Sequence, residues 1–338
     1  MAVSGIFVTF GEVMLRLSPP GRALLLQVPR LDVWFGGAEA NVATQLARLG
    51  HATRFVSAVP VNALGDAAIS QLRGAGIDVG QVQRREGRMG LYFAMLGAGP
   101  RPSEILYDRA QSSFAIAPAS AWDWDVILAG ADRLHVSGIT AALGAEGAEA
   151  ALAAARAANR LGVPLSFDGN YRARLWEAWD GDARAILTGL VGCADIMFGN
   201  HRDIALLLAR PFGGEGPERR REAAEAAFAH FPRLALIAST ARQTEDANRN
   251  RLSARIDTRQ RQIQTDEIII SGIVDRIGTG DAFAAGILHA LRSGFDLDEM
   301  ARAGLALAAL KHSIPGDASL FSQCDIDRFL EGVADIRR

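Results

Sequence analysis

Lysine is nearly missing from this chain of 338 residues: 35 of its 36 basic residues are arginine, and Lys311 is the single lysine. No Gly-Lys-Ser/Thr sequence exists, which excludes a Walker-type phosphate loop. No lysine stands in an N-terminal strand, where a protein-kinase site would need one. If the chain handles ATP, it does so through another architecture. Cysteine is scarce as well. Cys193 and Cys324 lie far apart without a C-x-x-C pattern and read as buried or idle thiols. The six histidines show no metal-ligand spacing, and His289, eight residues after Asp281, reads as a packed or capped side chain. No run reaches the roughly 18 uninterrupted apolar residues of a membrane span. The opening MAVSGIFVTFGEV has neither a basic leader nor a long apolar core, so a cytoplasmic protein is expected. A net charge of −2 gives no basic field for nucleic acid or anionic membrane, and the expected partners are small molecules.

What is present is an ordinary soluble composition, 49% hydrophobic and 22% charged, on a chain long enough for one large α/β domain or two smaller ones. From residue 130 onward short apolar runs alternate with helical ones. DRLHVSG (132–138) precedes a helix at 143–161, VPLSFDGN (163–170) one near 181–191, and ADIMFGN (194–200) one at 201–209; a helix at 218–230 precedes LALIAST (234–240). Strands near 4–10 and 53–59 with a helix at 38–49 between them continue the pattern. Such alternation predicts one doubly wound domain, a mostly parallel sheet covered by helices on both faces. The strands end in Ser137-Gly138, Asp168-Gly169-Asn170, Gly199-Asn200 and Ser239-Thr240, and ligands of open α/β sheets bind beyond such carboxyl ends.

Two segments break the alternation. Residues 12–35 and 87–112 hold short alternating runs, EVMLRL and GLYFAML, followed by SEILYDRA, and predict a small separate sheet at the domain edge with the use of a lid or a plain hairpin. Apolar strands at such an edge invite pairing with a second copy, so a homodimer through the lid is expected.

Near the C-terminal end VDRIGTGDAFAAGIL (274–288) runs a glycine turn into an acid and an Ala-rich helix. Gly278, Thr279 and Gly280 offer backbone N–H groups at a helix start, a place that attracts phosphate. Asp281 then either complements the helix dipole or works beside the phosphate. With FGGAEANVA at 35–43, this pattern resembles the ribokinase-like sugar kinases, the PfkB carbohydrate kinase family, over essentially the whole chain. Its signature regions match at Gly36-Gly37 through Asn41 and at Asp275 through Asp281. GEVMLRL, YDRA, NYRARLW and KHSIPGD are most similar to the 2-keto-3-deoxygluconate kinases of that family.

The resemblance implies a single ribokinase-like domain over 1–338 and ATP-dependent phosphorylation of a sugar hydroxyl, 2-keto-3-deoxygluconate giving its 6-phosphate. Asp281 would take the hydroxyl proton, and Gly278, Thr279 and Gly280 would form the anion hole. Gly36, Gly37, Asn41, Tyr92, Tyr107, Arg109, Asn170 and Arg172 would meet the sugar, the two arginines suiting a carboxylate through their forked donors. Thr240 and Arg242, with Gly278 and Gly280, would lie by the nucleotide. Asn200 and Asp203 would hold Mg²⁺ through water, and Asp275 a monovalent cation such as K⁺. Two departures stand out. His201-Arg202 replaces a pair commonly acidic in close relatives, and Gly169 replaces a leucine. A kinase of a neutral sugar such as fructose or ribose, or of a nucleoside, and a weakly active ligand-binding protein on the same scaffold are the competing readings.

Overall fold

The computed structural model describes residues 5–332, so Ser4 of the expected first strand and both ends of the expected 1–338 domain lie outside the described residues. In chain order the strands are β1 (Ile6–Phe10), β2 (Met14–Ser18), β3 (Asp32–Gly36), β4 (Thr53–Pro60), β5 (Val82–Arg85), β6 (Gly90–Met95) and β7 (Glu104–Asp108). There follow β8 (Ala131–Ser137), β9 (Leu165–Asp168), β10 (Ile196–Phe198), β11 (Leu236–Asp246), β12 (Arg249–Thr258), β13 (Gln262–Gln264) and β14 (Ile268–Ser271).

The large sheet runs β13-β12-β11-β10-β9-β8-β1-β4-β5, with β14 also on β12. Pairing is parallel from β11 through to β5 and antiparallel around β12. Side-chain alternation feeds two cores. Val8, Phe10, Met197 and Ile237 pack on one face with the Ala-rich helix Ala145–Leu161 and the helix Ala183–Cys193. Phe7, Ile196, Phe198 and Leu236 pack on the other with Ala38–Arg48, Thr279–Arg292 and Leu297–Lys311. The doubly wound reading therefore holds, and the helices begin or end within a few residues of the expected positions.

One expectation is corrected. The strand expected at 234–240 continues to Asp246 and turns back as β12, so ARQTEDANRNR is the tip of a long hairpin. Its polar run gave no period-2 apolar signal because the last five residues of that strand are exposed.

The second sheet has the order β3-β2-β6-β7 and is drawn from the two segments that break the alternation, running one residue past the first of them to Gly36. Its first and last strands, β3 and β7, pair on one side alone.

Candidate active site

The carboxyl ends of β9, β10 and β11 and the cavity-facing side of the small sheet enclose a cleft of about 1190 Å³. Asp281 stands at its floor, in the first turn of helix Thr279–Arg292. The turn before it requires glycine at one position in particular. Gly278 has φ +78°, and a Cβ there would collide with the Asp317 carbonyl oxygen. The chain can thus swing into the helix with its first N–H groups, which have no intrahelical acceptors, facing the cleft. Gly37 is glycine for closeness alone: its φ of 171° is extended, but a Cβ would meet the Glu12 carbonyl.

Asn41, on helix Ala38–Arg48, donates from Nδ2 to Asp281 Oδ2 at 2.7 Å. One hydrogen bond therefore ties the Gly-Gly turn to the acid of the Gly-Thr-Gly turn. Burial raises the pKa of Asp281 to about 7; Glu39 and Asp317 raise it too, against the pull of Asn41 and Arg172. Asp168 at the end of β9 is also raised to about 7, first by burial and then by Asp281 and Asp203. Asp203 is raised by burial. Three carboxylates thus face one region with Arg172 as a nearby cation.

Of the residues singled out in the sequence, Gly37, Asn41, Tyr92, Tyr107, Asn170, Arg172, Asn200, Asp203, Thr240, Arg242, Asp275, Gly278, Thr279, Gly280 and Asp281 line this cleft. Gly36 and Arg109 are not among the described lining residues. Gly36 backs onto the Asp317 carboxylate. Arg109 is 7% exposed and donates from Nε at 2.9 Å and from Nη2 to Glu12 Oε2, a buried ion pair that already answers its charge. Arg109 thus stands directly behind the lining, its guanidinium 5.6 Å from the ring centre of the cleft-lining Tyr107.

Asn200 and Asp203 form a capping box on helix His201–Leu208, with Asp203 Oδ2 accepting from Asn200 N at 2.7 Å and Asn200 Oδ1 from Arg202 N at 2.8 Å. Among the described residues no group of three or more His, Cys, Asp or Glu is arranged to hold a metal directly. The carboxylates of Asp168 and Asp203, both raised in pKa first by burial and with Arg172 as their nearby counter-charge, are hard oxygen donors of the kind that holds Mg²⁺ through water, with Asn200 beside them.

Asp275 does not suit a monovalent cation. Its Oδ1 accepts from Ile277 N at 2.9 Å, and its Oδ2 faces Gly316 N at 3.2 Å and Arg16 Nη1 at 2.7 Å. Both oxygens are taken by donors, one of them cationic, and this corrects the expected role.

Sequence reasoning passed over Glu12, Arg16, Glu39 and Asp317. Tyr92 donates its hydroxyl to Asp317 Oδ2, and Arg16 Nη1 donates to Asp317 Oδ1 at 2.9 Å. Glu12 and Arg16 sit in GEVMLRL and Asp317 in KHSIPGD, so the motifs were visible while their partners, 97 to 301 positions away, were not.

The roof of the cleft is tied across. Arg22, between β2 and β3, donates to the Gly97 carbonyl beyond β6, to Asn248 Oδ1 at the β11–β12 turn at 2.7 Å, and to the Ile273 carbonyl.

Comparison with known proteins agrees with this geometry. The pfkB family carbohydrate kinase profile matches residues 7–323. A 2-dehydro-3-deoxygalactonokinase of Haloferax volcanii is 31% identical over 325 residues, covering 96% of each chain. A 2-dehydro-3-deoxygluconokinase of Bacillus subtilis is 28% identical, covering 92% of this chain and 90% of its own. The crystal structure of a 2-dehydro-3-deoxygluconokinase from Thermotoga maritima superposes with a TM-score of 0.92 at 37% identity, over 97% of this chain and 98% of that one.

Proposed function

The chain belongs to the pfkB family of carbohydrate kinases, and from that premise we propose that it phosphorylates an acid sugar, 2-keto-3-deoxygluconate at its 6-hydroxyl, with ATP. It is a sugar kinase. The relatives from Haloferax, Bacillus and Thermotoga are all named for 2-dehydro-3-deoxy sugar acids, which supports the acid-sugar reading. The observation that carries it is Arg172, a guanidinium lining the cleft with its charge reaching Asp281, Asp168 and Asp203, whose forked donors offer a substrate carboxylate a partner.

Asp281 accepts the proton of the 6-hydroxyl as its oxygen attacks the γ-phosphorus, and the bond from that phosphorus to the β,γ-bridging oxygen breaks, leaving ADP. The N–H groups of the Gly278–Gly280 turn bind the transferring oxyanions, and Asn41 aims the carboxylate. Asn170, with φ +37° and its Nδ2 on Ser137 Oγ at 3.0 Å, and Gly37 meet the sugar hydroxyls. Tyr92 and Tyr107 close over the sugar from β6 and β7, while Gly36 and Arg109 act one layer back, Arg109 through Glu12. Thr240 and Arg242 lie by the nucleotide phosphates. Asn200, Asp203 and Asp168 would hold the Mg²⁺ that accompanies ATP, through water, and it would supply charge neutralisation to the phosphates. The small sheet serves as lid, the enzyme works in the cytoplasm, and two copies pair through their lids.

A coupled ADP-release assay over 2-keto-3-deoxygluconate, its C4 epimer 2-keto-3-deoxygalactonate, fructose, ribose and nucleosides tests this. The acid sugars are expected to give the highest kcat/KM. A preference for fructose or ribose over both acid sugars puts a neutral-sugar kinase in its place, and ATP binding without turnover on any sugar reduces the protein to a ligand-binding scaffold.

A further inference from the structure

The single lysine of the chain is 0% exposed. A chain that uses arginine at every other basic position keeps an ammonium at one buried place, the end of helix Leu297–Lys311. Lys311 Nζ donates to the Ile314 carbonyl at 3.2 Å. Burial pulls its pKa down, while Asp275, Asp317 and Asp281 hold it up. Arg16, also 0% exposed, places Nη1 2.7 Å from Asp275 Oδ2 and 2.9 Å from Asp317 Oδ1, donates from Nε to Ser18 Oγ at 2.9 Å, and lies 5.1 Å from the Trp34 ring centre.

Lys311 holds the start of the loop 314–317 through the Ile314 carbonyl, and the same loop gives Gly316 N to Asp275 and the Asp317 carboxylate to Arg16, so two buried carboxylates and two buried cations meet around it and their formal charges balance. An added monovalent cation would leave an unbalanced positive charge in a dry interior, which is costly. Nor do the oxygens near Asp275 have room in their bonding for one. The His312 carbonyl accepts from Val274 N at 2.8 Å and Asp275 N at 3.3 Å, and both Asp275 oxygens are engaged. The cluster also reaches the chemistry. Asp275 anchors Ile277 N just before the glycine turn, and the Asp317 carbonyl packs against Gly278 itself.

We propose that Arg16 and Lys311 act as built-in cations that hold the Asp275–Asp317 cluster and, through it, order the Gly278–Gly280 turn, so that the enzyme needs no monovalent cation. Both are positioning residues. Lysine suits its place because an ammonium is a compact point charge close in size to a monovalent ion, whereas a guanidinium is a planar fork. The kinetic part of the inference rests on the sugar-kinase reading; the thermal part does not.

The experiment compares KCl with tetramethylammonium chloride at equal ionic strength. Wild-type melting temperature is expected to be the same in both salts, and kcat on the best sugar to agree within about twofold. Lys311→Met, which keeps length and removes the charge, is expected to lose at least about tenfold in kcat in tetramethylammonium and to regain much of it in KCl or NH₄Cl, a recovery that ordinary loss of packing would not show. A wild-type enzyme that K⁺ stabilises, or accelerates about tenfold or more, overturns the proposal, as does a Lys311→Met variant as active as wild type in tetramethylammonium. If that variant does not fold, the wild-type comparison decides alone. If no sugar is turned over in either salt, the sugar-kinase reading fails while the melting comparison still judges the cation cluster.

Discussion

Burial that lifts the pKa of Asp281 to about 7 makes this residue a stronger base than an ordinary carboxylate, and it sets when the base is available. The charged form is needed to accept a proton, so kcat/KM is expected to fall as pH drops through about 7 and to level off above it, with Asp168, which Asp281 helps to raise, titrating in the same range. Asp281→Asn should lower kcat by about 10²–10⁴-fold with ATP affinity nearly kept. A stopped or steady-state assay with a parallel ATP-binding titration checks this, and near wild-type kcat would remove Asp281 from the mechanism. The two arginines first grouped together in the sequence should now part company. Arg172→Ala, at the exposed rim of the cleft, should cost roughly 1.5–3 kcal/mol in kcat/KM for an acid sugar and little for a neutral one. Arg109→Ala instead leaves Glu12 buried and unpaired, and should destabilise the fold by about 3–5 kcal/mol, read as a lower urea midpoint. Equal discrimination losses for both variants, without a stability difference, would put Arg109 back at the substrate.

At the scale of elements, what was legible and what was not separates by range of contact. β8, β9 and β10 and the helices after them were readable because each carries its own apolar period and turn residues, and so were the small sheet and the Gly-Thr-Gly-Asp turn, both local patterns. The outer half of β11 was not, since its exposed residues carry no apolar alternation, nor was β12, which buries polar residues such as Asn250, Ser253, Arg255 and Asp257 among its apolar ones. Nor were the partners of Arg109 and Asp275. Glu12 lies 97 positions from Arg109 and Arg16 more than 250 from Asp275, and no local pattern predicts which buried charge finds which. The same holds for the contact of helix Thr279–Arg292 with helix Leu297–Lys311. An added Cβ at Gly286 would stand 2.8 Å from Gly304 Cα and 2.9 Å from the Ala303 carbonyl, so backbone faces backbone there. Gly286→Ala should therefore destabilise by about 1–3 kcal/mol despite alanine's better helix propensity, because the crowding exceeds the roughly 1 kcal/mol that propensity returns. Chemical denaturation measures the sign. A stabilised variant would mean that the two helices can part at little cost. They carry Asp281 at one start and Lys311 at the other's end, so their close seating also sets where those two residues stand relative to one another.

For the whole molecule the small sheet poses the remaining physical problem. Its cavity side buries Arg16 and Tyr92, but its other side carries a cross-strand row of Val33, Leu17, Phe93 and Leu106, in register over all four strands, with Val33 and Leu106 each 54% exposed. At its edge β7 is exposed along its whole length. A bare apolar row beside an unpaired strand is a surface that soluble proteins cover, and a second copy offers a self-complementary cover about a two-fold axis. Pairing of two lids would also steady Tyr92 and Tyr107 over the sugar, so assembly and substrate affinity should move together. Leu106→Lys places a charge in the middle of that row while sparing the cavity side, since Leu106 and Tyr107 point to opposite faces of β7. Sedimentation equilibrium is expected to give a dimer for the wild type and a monomer for Leu106→Lys, and the monomer should show a sugar KM raised several-fold with its ATP KM little changed. A wild type that sediments as a monomer removes the lid interface. A monomeric Leu106→Lys with an unaltered sugar KM keeps the interface but shows that each lid closes without help from its partner.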